Sequence, residues 1–139
     1  MAVTVLLDVL TLLAGTSYET NIVKVTIDAA IVDLDTTAFG GSGWTTTVGG
    51  LKSGKISFDF NQDYTTTTGL DAVFGLGGFF GTVQTFECRP TSAARSVGNA
   101  AHTGSVLIDG WQPINGKVGD LATLSVTWPA TGPVLRATA

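Results

Sequence analysis

The most recognisable chemical spacing in the chain lies in Gly49, Gly50, Leu51, Lys52, Ser53, Gly54 and Lys55, which reproduce the glycine and lysine positions of a phosphate-binding P-loop. Position 56 is Ile, where that loop needs a Ser or Thr hydroxyl on magnesium, and Ile56 opens an alternating strand in place of a helix whose N-terminus faces phosphates. Nucleotide binding is rejected and the run is read as a hairpin turn. Side-chain oxygens recur at every second residue in Asp33 and Asp35, and again in Asp59, Asn61 and Asp63, as at the start of a calcium loop. The sixth positions are Ala38 and Tyr64 and the twelfth are Trp44 and Leu70, where Gly and a bidentate Glu are required. Both series read as polar strand faces, and no metal is expected.

His102 is the sole histidine, so a Ser or Cys nucleophile has one base to draw on and no third group to orient it. It reads as a surface residue in a loop of Gly, Asn and Ala. Cys88, between Glu87 and Arg89, reads as a small buried hydrophobe near a strand end. A lone cysteine excludes an internal disulfide, a tetrathiolate zinc site and an iron-sulfur cluster, and points to a reducing compartment. Trp44, Trp111, Trp128 and the pair Phe79 and Phe80 lack the basic neighbours of a base-stacking site, which leaves core or subunit interface. Arg89 to Arg95 make a short basic loop for phosphate or for a neighbouring acidic face. Neither an enzyme nor a cofactor is expected from this inventory.

The elements that must carry these residues are mostly strands, because threonine and glycine are frequent and long windows of three-four apolar spacing are nearly absent. Residues 22–32 alternate, with Ile22 out of phase, Val23, Val25, Ile27, Ala29 and Ile31 on one face, and Lys24, Thr26 and Asp28 on the other. Residues 55–63 repeat the pattern, with Ile56, Phe58 and Phe60 inward and Ser57, Asp59 and Asn61 outward. Further strands are expected at 82–89, 104–111 and 121–128, with one or two more in 3–13. A helix is expected over 70–80, led by Asp71 and striped by Leu70, Val73, Phe74 and Leu76. Residues 33–54 read as a long loop rich in Gly, Thr and Ser, with a short strand near 44–48. Its Thr37, Phe39, Trp44 and Thr46 are expected to touch a neighbouring subunit, because such a loop has too few internal contacts to offset its ordering entropy.

With 139 residues the chain is read as one domain spanning 1–139, ending in an extended segment near 129–139. Hydrophobic residues reach 44% and charged residues 13%, against roughly 25% charged in ordinary domains. That surplus of apolar surface in a small chain is best buried against other copies. A net charge of −4 with scattered Lys and Arg argues against gripping nucleic acid. The apolar opening 3–14 is too short for a membrane helix, is broken by Asp8, and lacks the positive start of a signal peptide.

Residues 48–64, VGGLKSGKISFDFNQDY, resemble the central hairpin and second strand of tail tube proteins, also called major tail proteins, of the long-tailed non-contractile phages (siphophages) of actinobacteria. Residues 89–94 (RPTSAA), 103–107 (TGSVL), 118–122 (VGDLA) and 136–139 (RATA) resemble the same family in the same order. The resemblance implies a β-sandwich or rolled antiparallel sheet with one flanking helix, hexameric rings, and strands from all subunits joining into an inner β-barrel. It implies that loop and terminal segments bridge successive rings. The partners it implies are further copies of the chain, a tape measure protein, and tail tip and terminator proteins. Phage DNA would pass through the lumen without specific binding, and the chain would insert into no membrane. The protein would be made in the host bacterial cytoplasm and reside in the virion tail. Strand 55–63 would then turn its polar face to the lumen, where Asp59, Asp28, Asn61 and Asp63 would form an acidic wall that repels phosphates. Two other readings stay open: the inner tube of a contractile tail, secretion system or gene transfer agent, and a monomeric carbohydrate-binding or adhesion sandwich using Trp44 and Trp111 as sugar platforms.

Overall fold

The structure, a computed structural model, describes residues 3–139. The described chain is mainly β. In order come β1 (Leu10–Leu13), β2 (Thr16–Ser17), β3 (Ile22–Asp35), β4 (Thr47–Asn61), α1 (Leu70–Phe74), β5 (Val83–Arg89), β6 (Ala101–Leu107), β7 (Thr123–Pro129) and β8 (Leu135–Ala137). All strand pairs are antiparallel and form two sheets, one ordered β2-β1-β5-β6-β8 and the other β3-β4-β7. The two sheets face each other as a β-sandwich, the expected architecture, with the core between them.

The core is the inward half of each alternation. β4 supplies Ile56, Phe58 and Phe60, β7 supplies Leu124, Val126 and Trp128, and the other sheet answers with Leu13, Phe86, Cys88 and Val106. Trp128 is central: its ring lies 5.6, 6.5 and 6.0 Å from those of Phe58, Phe60 and Phe74, and its Nε1 donates to the Gly110 carbonyl at 2.9 Å. Each such aromatic pair adds about 0.5–1.5 kcal/mol beyond area burial. Helix α1 inserts Leu70 and Phe74 into the same cluster, and Asp71 accepts the Trp111 Nε1 proton at 3.0 Å. No helix among the described residues is long and apolar enough to cross a membrane.

Several local expectations change. The helix expected over 70–80 stops at Phe74, because Gly77 and Gly81 take φ of +88° and +86° and a Cβ at Gly78 would stand 2.4 Å from the Val73 carbonyl oxygen. Of the expected loop 33–54, only 36–46 is loop, since β3 runs to Asp35 and β4 starts at Thr47. The strand expected at 55–63 therefore begins at Thr47 and ends at Asn61. The strand expected at 104–111 sits at Ala101–Leu107, and residues 3–9 form no strand. Val23, expected inward, is exposed: the ladder shifts between Ile22 and Lys24, so Val23 is a bulged residue and Ile22 returns to the core face with Val25 and Ile27.

Trp128→Ala should destabilise the folded subunit by about 4 kcal/mol, a drop in melting temperature on the order of 15 °C, by opening a cavity and orphaning the Gly110 carbonyl. Trp44→Ala should stay within about 0.5 kcal/mol of wild type, because its ring touches no core. Chemical denaturation followed by circular dichroism separates the two. Burial pushes the Cys88 thiol up to about 11, against a weaker lowering by its hydrogen bond with Thr11. Stability from keeping that thiol neutral is complete below pH about 9 and is lost as pH rises towards 11, by at most about 3 kcal/mol. Cys88→Ala should flatten that part of the stability curve relative to wild type; parallel curves for the two proteins between pH 8 and 11 would refute the assignment.

Candidate assembly surfaces

Between Lys24 and Asp28 of β3, Lys55 and Asn61 of β4, and Thr123 and Thr127 of β7, the outward half of the alternation is polar. Register places Lys24 opposite Asp59, Thr26 opposite Ser57 and Asp28 opposite Lys55, and continues onto Thr123, Ser125 and Thr127 of β7. Ser57 and Thr127 share a hydroxyl hydrogen bond of 3.0 Å, and Ser125 Oγ donates to Asp59 Oδ1 at 2.7 Å. Asp28, Asp59 and Asn61 do share one face. Lys55 and Lys24 stand across from the two carboxylates, so within one subunit the four charges on this face balance. Asp63 leaves the set: it lies beyond the end of β4, where its Oδ1 accepts from the Thr65 amide and hydroxyl, and those bonds hold its carboxyl below the ordinary range.

This sheet has an unpaired edge on each side, β3 along one and β7 along the other. Ser125 N–H donates to the Gln112 side-chain oxygen at 3.1 Å, so it points away from β4 and towards the free edge. By the two-residue period of an antiparallel ladder, Thr123 and Thr127 share that orientation. Pro129, which has no N–H to give, falls at the same phase. Carried across β4, the same period turns the amides of Val25, Ile27 and Ala29 outward on the free edge of β3.

Past Gly54 the β3–β4 ladder continues without β7 beside it, since β7 pairs β4 only from Lys55 to Asn61. The result is a two-stranded arm. Ile31, Val32, Leu34, Val48 and Leu51 are all exposed on it, and the register slips once between Ile31 and Asp33, which twists the ribbon. At its tip the four expected contact residues divide into two roles. Thr46 N–H donates to Thr37 Oγ1 at 3.0 Å, and Thr36 and Thr46 bridge through both backbone and hydroxyl at 2.9 Å, so the threonines order the loop. Phe39 and Trp44 project into solvent at 108% and 78% exposure.

A surface that the sequence did not reveal lies at the other end of β4. Tyr64 Oη donates to the Pro113 carbonyl at 2.6 Å and Gln62 Nε2 to the Gln112 carbonyl at 3.3 Å, which pins residues 112–121 beside the end of the sheet. Asp120 accepts the Lys117 amide at 3.2 Å and closes the turn. Ile114, Val118 and Leu121 stand outward from this loop, Val118 at 103% exposure. The available signal was apolar residues in a Gly, Pro and Lys stretch with no period that could bury them.

Among the described residues no group of three or more His, Cys, Asp or Glu side chains is placed to hold a metal ion. His102 is the cross-strand partner of Cys88, a pairing invisible in the sequence, but the thiol is buried, bonded to Thr11 and hard to ionise, the opposite of an activated nucleophile. Arg89 and Arg95 both face Glu87, so the two arginines of the expected basic loop have an acidic partner within the chain. Trp111 is half-buried against Phe60 and Phe74, so it offers no open sugar platform.

No protein-family model matches the sequence, and no curated protein matches it. Among solved structures, a chain described as "Virion of native gene transfer agent (GTA) particle" superposes with a TM-score of 0.70 at 18% identity, covering 94% of this chain and 95% of that one. The fold is therefore shared, nearly end to end, with that chain.

Proposed function

We propose that this chain is the subunit of a phage-like tail tube, a structural virion protein whose copies join into rings that stack into a conduit for DNA. The observation that carries this reading is a neutral polar sheet face bounded by free edges on both sides, on a fold shared with a virion chain. A sheet with two free edges is an aggregation hazard unless another strand covers them, and cyclic pairing of β3 with a neighbour's β7 covers all of them at once. Because β3 and β7 each run antiparallel to β4, they run parallel to one another, and the junction between copies in such a ring is a parallel ladder.

In that ring the face carrying Lys24, Asp28, Lys55, Asp59 and the β7 hydroxyls lines the bore. Each lysine has a carboxylate opposite it and the remaining groups are hydroxyls and an amide, so phosphates meet no concentrated positive charge. DNA can slide through such a lining without being held. Six copies per ring, and a tape measure protein and terminator as partners, follow from the resemblance to siphophage tube proteins.

Purified protein should show rings or tubes by negative-stain electron microscopy. Thr127→Pro should stay folded, because that N–H faces away from β4, with a loss of only about 1 kcal/mol from the Ser57 hydrogen bond, yet remain monomeric in sedimentation. A wild-type protein that stays monomeric at high concentration would refute the tube reading. Assembly of Thr127→Pro would instead remove the β7 edge from it.

A further inference from the structure

Residues 3–9 lead into β1 without joining any strand ladder, and Val3, Val5, Leu6 and Leu7 on this stretch are all exposed. Two contacts fix where it lies. Ser92 Oγ donates to Asp8 Oδ2, and Leu6 and Val9 line a slot with Val25 and Ile27 of β3 and with Cys88 and Arg89 of β5. The stretch therefore runs beside the free edge of β3. Strand β5 shows what stands on the far side of the subunit. Its last residues line that slot, while near its start Gln84 pairs with Val106, which bridges to Ala130 just beyond β7. It thus crosses from the β3 side to the β7 side, on the order of 20 Å at about 3.3 Å per residue. At the β7 side Leu76, Phe80 and Val83 are exposed, and the Thr82 carbonyl accepts from the Ile108 amide at 3.0 Å, which holds this segment in place.

A ring closed by β3 of one copy on β7 of the next brings these two apolar surfaces to the same junction. We infer that residues 3–9 are a lateral strap: within one ring they lie over the neighbouring copy's 76–83 segment, with Val3, Val5 and Leu7 against Leu76, Phe80 and Val83. The chemistry of the two sides matches. Residues 72–86 contain no charged side chain, and the one charge in the strap, Asp8, is held back at its root by Ser92. The strap also supplies what the strand junction lacks. A parallel ladder of β3 on β7 joins only the β3-β4-β7 layer, and it is the weaker kind of ladder per residue. An apolar segment laid across the same junction joins the second layer and removes two exposed patches from water. Once the ladder holds the copies together, the strap binds as an intramolecular event, so a short segment is enough.

This inference rests on the tube reading, and cross-linking separates the two. Leu7→Cys and Val83→Cys are combined in one chain, which is assembled, treated with a short bis-maleimide and run on a denaturing gel; Cys88 is buried and does not interfere. The two new thiols lie on opposite sides of one subunit, so cross-links form between copies. The expected result is a ladder of linked chains that ends at the number of subunits counted in one ring by electron microscopy. A ladder running past that number would mean that the strap reaches the next ring, and tubes without cross-links would mean a different seat; either overturns the proposal. Should the double cysteine variant fail to assemble while wild type forms tubes, Val5→Asp with Leu7→Asp decides. That variant should keep the wild-type melting temperature within a few degrees and need at least tenfold more protein to form rings. Rings at the wild-type concentration would be the overturning result. Absence of tubes from wild type itself would instead defeat the tube reading.

Discussion

A strand can bury one of its faces only where a second layer follows it, and β4 is longer than the layer beneath it. From Lys55 to Asn61 it has β3 and β7 on its flanks and the other sheet below, and there Ile56, Phe58 and Phe60 vanish from solvent. From Thr47 to Ser53 it has β3 alone as a paired strand, and Ile31, Val32, Leu34, Val48 and Leu51 of that ribbon remain in water. A two-stranded ribbon is marginal by itself, so the arm holds its shape because its base is anchored in the sandwich. The same overhang accounts for part of the apolar surplus, which sits outside the core on the arm, its tip, the 112–121 loop and the N-terminal residues Val3, Val5, Leu6 and Leu7.

The core and the outward polar face of the β3-β4-β7 sheet obey different demands on one set of strands. Inward positions need volume and aromatic packing, and Trp128 with Phe58, Phe60 and Phe74 meets that need. Outward positions need only to be wet and indifferent, and short hydroxyls bonded to each other, with opposed Lys and Asp, achieve this without a net field. Screening at physiological salt confines whatever local field remains to about 8 Å.

Where a segment was half-buried, its sequence was legible. Strand β4 beyond Lys55 and strand β7 alternate because one face meets the core, and both faces were readable from Ile56 to Phe60 and from Leu124 to Trp128. The outer part of the arm, 33–35 and 47–54, was misread as loop because Leu34 and Val48 are exposed and mark no buried face, and Gly49 and Gly50 suggest a turn where a ladder runs. Gly49 is tolerated there because its cross-strand space is filled by Ile31, whose side chain would lie 2.7 Å from an added Cβ. The bulge at Val23 was visible only as Ile22 lying out of phase. The exposure of Trp44 was legible because a large aromatic in a Gly and Thr stretch has no local use. The lysines that neutralise Asp28 and Asp59 were in plain sight, but their opposition depends on register, which a single strand does not encode. The 112–121 loop was missed because its anchors, Tyr64 and Gln62, are far away in the chain.

The bond from the Ser125 amide to the Gln112 side chain bears on timing as well as on shape. It occupies the middle of an otherwise open strand edge with a group that can rotate away, and replacing one neutral hydrogen bond by another is nearly free of net cost. A first encounter between two loose subunits must displace that glutamine while ordering two partners for a handful of bonds. A subunit arriving at an already formed ring edge displaces it against a template held rigid by its neighbours. In the assembly proposed above the glutamine would be a removable stopper, raising the threshold for starting a polymer more than the threshold for extending one.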